Sequence, residues 1–276
     1  MDVLLLVLFG IVQGLTEFIP VSSSGHLVLF KHIFDMQYPG VTLEVAVHGG
    51  TLLAVITHYR RDILRIAAAL LRGTLDLLRR TSPIRRVLAR PDFYTGFTLF
   101  IATVVTGIVA LLVGDMAVAN FENLDFVAVA WIVTGLLLWA TRWRNPAGKF
   151  IPIGSAILLG LAQAAAIFPG ISRSGVTIFA ALYLGLSRRE AARHSFLLSA
   201  PVIAGALLVD LVANRTFLAE PGVATGLIVA VMAAALAGYL ALRFVIDKLS
   251  RGQLHHFSPY LWLLGTVILL VRGFAA

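Results

Sequence analysis

The sequence has no cysteine and little charge: 13% of its 276 residues are Asp, Glu, Lys or Arg. Without cysteine there are no disulfides, no thiolate metal sites and no cysteine nucleophile. The scarcity of charge excludes an ordinary soluble domain, in which about a quarter of residues are charged. The chain is instead 59% apolar, with a mean hydropathy of +0.92. Its apolar runs recur along the whole length, most of them near the ~20 residues a helix needs to cross hydrocarbon. These features describe an all-α polytopic membrane protein with a single membrane domain over 1–276 and no room for a soluble one.

The net charge of +8 invites a nucleic-acid partner. The basic residues, however, sit in short stretches between apolar runs, as the positive-inside rule places them, and no nucleic acid is expected. The N-terminus carries Asp2 where a signal peptide has basic residues, and Gln13 and Glu17 interrupt the apolar run beyond it, so it reads as part of the mature chain.

Six segments read as full spans: 40–58, 93–113, 125–141, 190–212, 222–242 and 257–273. The stretch 59–91 holds nine arginines and two acids, which puts it in the cytoplasm. Asp115, Glu122 and Asp125 suit the outside. Arg142, Arg144 and Lys149, then Arg188, Arg189 and Arg193, then Arg243, Lys248 and Arg251 return to the inside. Both chain ends then lie outside.

Residues 1–36 and 150–187 do not fit as spans. The first is broken at Pro20 by Ser22-Ser23-Ser24-Gly25, the second at Pro169-Gly170 by Ser172-Arg173-Ser174-Gly175. Each half is short, and broken backbone at membrane depth survives only where protein or a wet cavity satisfies it. Both regions read as re-entrant helical hairpins. They also align without gaps at an offset of 150: Gly10, Gln13, Phe18, Ser22, Ser24 and Gly25 match Gly160, Gln163, Phe168, Ser172, Ser174 and Gly175. Each hairpin precedes three spans, and an odd number of crossings inverts the second unit. The expected architecture is an inverted-topology repeat, about 1–141 and 150–276, with its broken helices meeting at the midplane.

The breaks are where chemistry is expected. Serines at capping positions open new helices, whose free N–H groups and positive dipole ends favour an anion, phosphate above all. The plainer role for these serines is capping alone; repetition at a common depth argues for more. Arg173 places a charge inside an apolar region, where it needs a partner or a ligand, and its planar fork grips phosphate oxygens. A structural ion pair with Glu17 is the simpler account. Gln13 and Glu17 share a helix face. Ser23 could attack phosphorus, with His26 or Glu17 moving the proton, or Glu17 could hold Mg²⁺ or Ca²⁺ against a diphosphate. Serine, histidine and metal-activated water all stay open as nucleophiles. Glu44 and His48 share a face; they could support the site, but helix–helix hydrogen bonding is the plainer role for them. Thr177, one turn after Arg173, could add a hydroxyl.

At these residues the chain resembles the bacitracin-resistance type undecaprenyl-diphosphate phosphatases. The resemblance rests on Glu17-Phe18-Ile19-Pro20-Val21-Ser22-Ser23-Ser24-Gly25-His26-Leu27 and Pro169-Gly170-Ile171-Ser172-Arg173-Ser174-Gly175-Val176-Thr177, and the hydrophobic layout agrees along the chain. It implies conversion of undecaprenyl diphosphate to the monophosphate carrier lipid of cell-wall synthesis, assisted by Mg²⁺ or Ca²⁺. It also implies a bacterial inner-membrane location with the site open to the periplasm. Glu17, Ser23, His26 and Arg173 would be catalytic, with Glu17 the metal candidate. Gln13, Ser22, Ser24, Ser172, Ser174 and Thr177 would bind substrate. Where the family has Glu or Gln four residues before the later Glu, this chain has Gln13, which cannot act as a base. The expected partners are a polyprenyl diphosphate lipid and membrane lipids, with homo-oligomers left open. The alternative function is a lipid-phosphate flippase, since inverted repeats of broken helices are also transporter architecture.

Overall fold

The computed structural model describes residues 3–36, 42–121, 123–214 and 223–275. Asp2, Glu122 and the opening residues of the spans expected at 40–58 and 222–242 lie outside these. Among the described residues no strand forms; the nearest approach is one parallel bridge between Gly148 and Leu186.

Eleven α-helices run in chain order among the described residues. They are α1 (Val3–Phe18), α2 (Ser23–Ile33), α3 (Thr42–Leu78), α4 (Ile84–Leu88), α5 (Pro91–Ala119), α6 (Leu124–Ala140), α7 (Ser155–Ala165), α8 (Arg173–Tyr183), α9 (Arg188–Ala213), α10 (Val223–Ser250) and α11 (Ser258–Ala275). Among the described residues five segments are long and apolar enough to cross a membrane: α5, α9, α10, and α6 and α11 with their adjoining 3₁₀ turns. The run expected as a span at 40–58 falls within α3, which is not among those five, because Glu44, His48 and His58 dilute it.

The stretch 59–91, expected as a connection, is largely helical. α3 continues through it to Leu78 with a kink at Tyr59 (φ −98°, ψ 16°). Alanine, leucine and arginine are strong helix formers, so the charge that ends the apolar run does not end the helix.

Each of the two broken regions forms a pair of short helices. α1 and α2 pack on each other across residues 19–22, and α7 and α8 across 166–172. Their outer partners are exchanged between the halves of the chain: α1 lies against α10, and α7 against α5. The sequence prepares both contacts with glycine. A methyl on Gly10 would stand 2.2 Å from the Ala230 carbonyl oxygen, and one on Gly160 would stand 2.6 Å from that of Ala102. Small residues let helix backbones approach this closely, which is how helices associate where lipid removes the hydrophobic drive.

α6 receives both breaks. Gly25 is packed against the Trp131 indole, and Gly170 (φ 89°) against Val127 and Ala130. Thr134 donates its hydroxyl to the Gly170 carbonyl (3.2 Å) and accepts from the Ser172 N–H (3.2 Å). The backbone groups freed by the second break therefore find a side-chain partner, as burial requires.

Candidate active site

The two breaks place their serines alike. Ser22 and Ser172 each cap the following helix, accepting from the N–H of Gly25 (3.3 Å) and Gly175 (3.1 Å). Each hydroxyl also pairs with the serine two residues on, Ser22 with Ser24 at 3.2 Å and Ser172 with Ser174 at 3.3 Å. Capping thus accounts for much of what these hydroxyls do.

Glu17, at the end of α1, is the centre of the arrangement. Its carboxylate is buried and accepts from Gln13 Nε2 (2.9 Å) and Ser23 Oγ (2.5 Å) on one oxygen. Its other oxygen takes the Arg173 guanidinium, which joins the first hairpin to the second. His48 Nε2 stands 3.4 Å from the same oxygen that Ser23 donates to. The other ring nitrogen of His48 lies 2.6 Å from the Glu44 carbonyl oxygen, so both face acceptors. A buried carboxylate needs this density of donors to stay charged away from water.

These groups border a cavity of about 470 Å³, within the range of small-molecule sites. Glu17, Ser23, Ser24, Ser172 and Arg173 line it, as do His48, Glu44, Thr106 and Gln163. Its remaining wall is mostly apolar, built from α5 (Ala110, Val118), the second break (Ala166, Ile167) and α9 (Val202, Ile203, Ala206), with Asp115 and Ser199 as further polar residues.

The other expected residues lie behind this lining. Gln13 and Ser22 act through Glu17 and the cap. Ser174 is fully buried, and Thr177 is held by the Ser195 hydroxyl (2.6 Å) and the Arg173 carbonyl (2.7 Å). His26 does not border the cavity. Its Nδ1 donates to the Ser22 carbonyl (2.8 Å), which can only accept, and its Nε2 meets the Tyr260 hydroxyl at 2.7 Å. The ring lies between Trp131 and Tyr260 and braces Ser22, whose φ of 68° is left-handed and costly for a residue with a Cβ.

Two side chains were harder to find from sequence. His48 comes from a separate helix with no motif around it; only its shared face with Glu44 hinted at a role. Gln163 was visible as the repeat partner of Gln13, but its bond to Thr106 (3.2 Å) depends on the α5–α7 contact, which the pattern does not specify.

Five long apolar segments around a cavity lined by buried polar groups at paired helix breaks mark a multi-pass membrane protein. The chain belongs to the bacitracin resistance protein BacA family, whose model matches residues 6–267. It is 39% identical over 270 residues to an undecaprenyl-diphosphatase of Desulfatibacillum aliphaticivorans, covering 96% of this chain and 97% of that one. It is 37% identical to the undecaprenyl-diphosphatase of Desulforapulum autotrophicum, with 98% of each chain covered. The undecaprenyl-diphosphatase of Korarchaeum cryptofilum is 36% identical, with 98% of this chain and 99% of that one covered.

Proposed function

We propose that the protein hydrolyses undecaprenyl diphosphate to undecaprenyl phosphate and inorganic phosphate, recycling the carrier lipid of cell-wall synthesis. The observation that carries this reading is the contact of Ser23 Oγ with Glu17 at 2.5 Å, beside Arg173 in the cavity. A hydroxyl hydrogen-bonded to a carboxylate base is an activated nucleophile, and a guanidinium beside it is a phosphate clamp. The names of the relatives supply the substrate.

In this scheme the diphosphate head enters the cavity and draws Arg173 partly from Glu17. Glu17 takes the Ser23 proton as Oγ attacks the terminal phosphorus. The P–O bond to the bridging oxygen breaks, and undecaprenyl phosphate leaves. Water then cleaves the phosphoserine, releasing inorganic phosphate and restoring the hydroxyl. His26 positions the Ser22–Ser23 turn, and the apolar wall accepts the first isoprene units.

A divalent cation belongs to the proposal. Among the described residues no three His, Cys, Asp or Glu side chains gather to hold one. Gln13 Oε1 is nevertheless buried without a partner, next to Glu17. Two oxygen donors suit Mg²⁺ or Ca²⁺ sharing its coordination with substrate oxygens and water. Bound there, the ion would neutralise diphosphate charge.

The wider reading is a bacterial inner-membrane protein with six spans, the five apolar segments and the first part of α3. Two re-entrant hairpins complete it, and the site faces the periplasm. The charge distribution between spans supports this orientation.

The test is phosphate release from undecaprenyl diphosphate by purified protein supplied with Mg²⁺ or Ca²⁺, beside Arg173→Ala. Removing one such transition-state contact costs roughly 10²–10³-fold in rate. A folded wild type that releases no phosphate would overturn the reading.

A further inference from the structure

At 37 residues and about 1.5 Å per residue, α3 is about 55 Å long, well beyond the ~30 Å of a hydrocarbon core. The part after the Tyr59 kink has three distinct faces. One is packed on α5: Ile66 and Leu70 lie against Gly96, and Gly73 against Phe93. These contacts hold the segment beside the first two turns of α5, where Arg90 and Asp92 give way to that span's apolar run. The helix is therefore fixed at the level of the membrane surface.

The second face is a ridge of Leu64, Leu71, Leu75 and Leu78, exposed by 68%, 64%, 37% and 75%. At helical spacing all four fall in one stripe. Beside it runs a third stripe of Arg61, Arg65, Arg72 and Arg79. Arg65 pairs with Asp62 at 2.8 Å, while no acidic partner among the described residues reaches Arg61, Arg72 or Arg79. Arg85 and Arg86 of α4, in the connection between this segment and α5, add to the excess.

We infer that residues 60–78 form an interfacial helix that binds anionic phospholipid, with its leucines at the acyl boundary and its arginines on headgroup phosphates. A leucine ridge flanked by unpaired arginines is the pattern of helices that lie in the interface. Continuity with a span supplies the nearby bilayer, and the unpaired positive charge selects an anionic leaflet. The inference rests on the membrane reading of α5 and not on hydrolysis.

The absence of cysteine provides a clean test in the full-length protein. Leu71→Cys introduces a single thiol at an exposed position, to be labelled with a polarity-sensitive fluorophore and reconstituted in phosphatidylcholine vesicles with or without about one third phosphatidylglycerol. We expect blue-shifted emission and at least a threefold or so fall in acrylamide quenching in the anionic vesicles, since each interfacial arginine changes partition roughly fivefold. Arg61→Gln, Arg72→Gln and Arg79→Gln together, or about 0.5 M salt, should restore quenching. Equal quenching in both vesicle types would overturn the inference. So would protection that ignores the arginines, or that disappears on dilution to about one copy per vesicle, which would assign the ridge to a second copy of the chain.

Discussion

The two hairpins share a frame and differ in chemistry. Gly10 and Gly160 make the same close approach to an alanine carbonyl, and Ser22 and Ser172 cap in the same way. At the offset of 150, however, Glu17 stands opposite Ile167, Ser23 opposite Arg173 and His26 opposite Val176. In the proposed scheme the first hairpin carries the base, the hydroxyl and its brace, and the second carries the guanidinium. Two helix N-termini give general attraction for an anion. The three unmatched positions turn that attraction into a directional site with a donor side and an acceptor side. Even the turns reach their shape differently: the left-handed residue is Ser22 in the first (φ 68°) and Gly170 in the second (φ 89°).

Substitutions can break this division in graded steps. The largest effect is expected from Ser23→Ala, which removes the hydroxyl found only in the first hairpin. Loss of a nucleophile costs on the order of 10⁴–10⁶-fold, read as phosphate release under single turnover. A fall of less than about tenfold would transfer the attack to water. Arg173→Lys keeps the charge of the second hairpin and loses its fork. A decrease of about 10²-fold is expected, with the protein still folded by size-exclusion chromatography. Rates near wild type would mean that point charge alone suffices.

The shared frame is tested by stability. Gly10→Val and Gly160→Val each force a side chain into a backbone carbonyl and should each cost about 1–3 kcal/mol in a denaturation series. If only one does so, the two exchanged contacts are not equivalent. The smallest effect concerns the turns. Ala should be worse than Gly at both Ser22 and Ser172, since both lose the capping hydroxyl but glycine is itself a tolerated N-cap. The gap should be about 1 kcal/mol wider at Ser22, where Gly also relieves the left-handed strain. Equal gaps, measured by thermal melts, would remove Ser22 as a strained position.

Much of this frame could be read from the chain. Pro20, Pro169 and the serine runs located both breaks, the offset of 150 related them, and Glu17, Ser23 and Arg173 do meet. Pattern reports what a residue cannot tolerate, such as Arg173 alone in lipid, and so finds residues under strong constraint. It reports poorly on which faces meet. His48 approaches Glu17 because α3 crosses the end of α1, and nothing local to His48 encodes that. Likewise the direction of His26, towards Tyr260 and away from the cavity, comes from the register of α2 against α6 and α11. The continuation of α3 beyond Tyr59 was hidden because charge density marks a membrane boundary without marking a helix end.

The exchange of partners between halves has a consequence for how the protein is made. α1 leaves the ribosome well before its main partner, for the grooves that Gly10 and Gly14 fit belong to Ala230 and Ala234, more than two hundred residues later. At 5–20 residues per second, that interval is about ten to forty seconds. Throughout it a 16-residue helix too short to span, with Gln13 and Glu17 near its end, waits without its main partner. A segment synthesised early is therefore seated late, and the site it carries is completed only when the second half of the chain arrives.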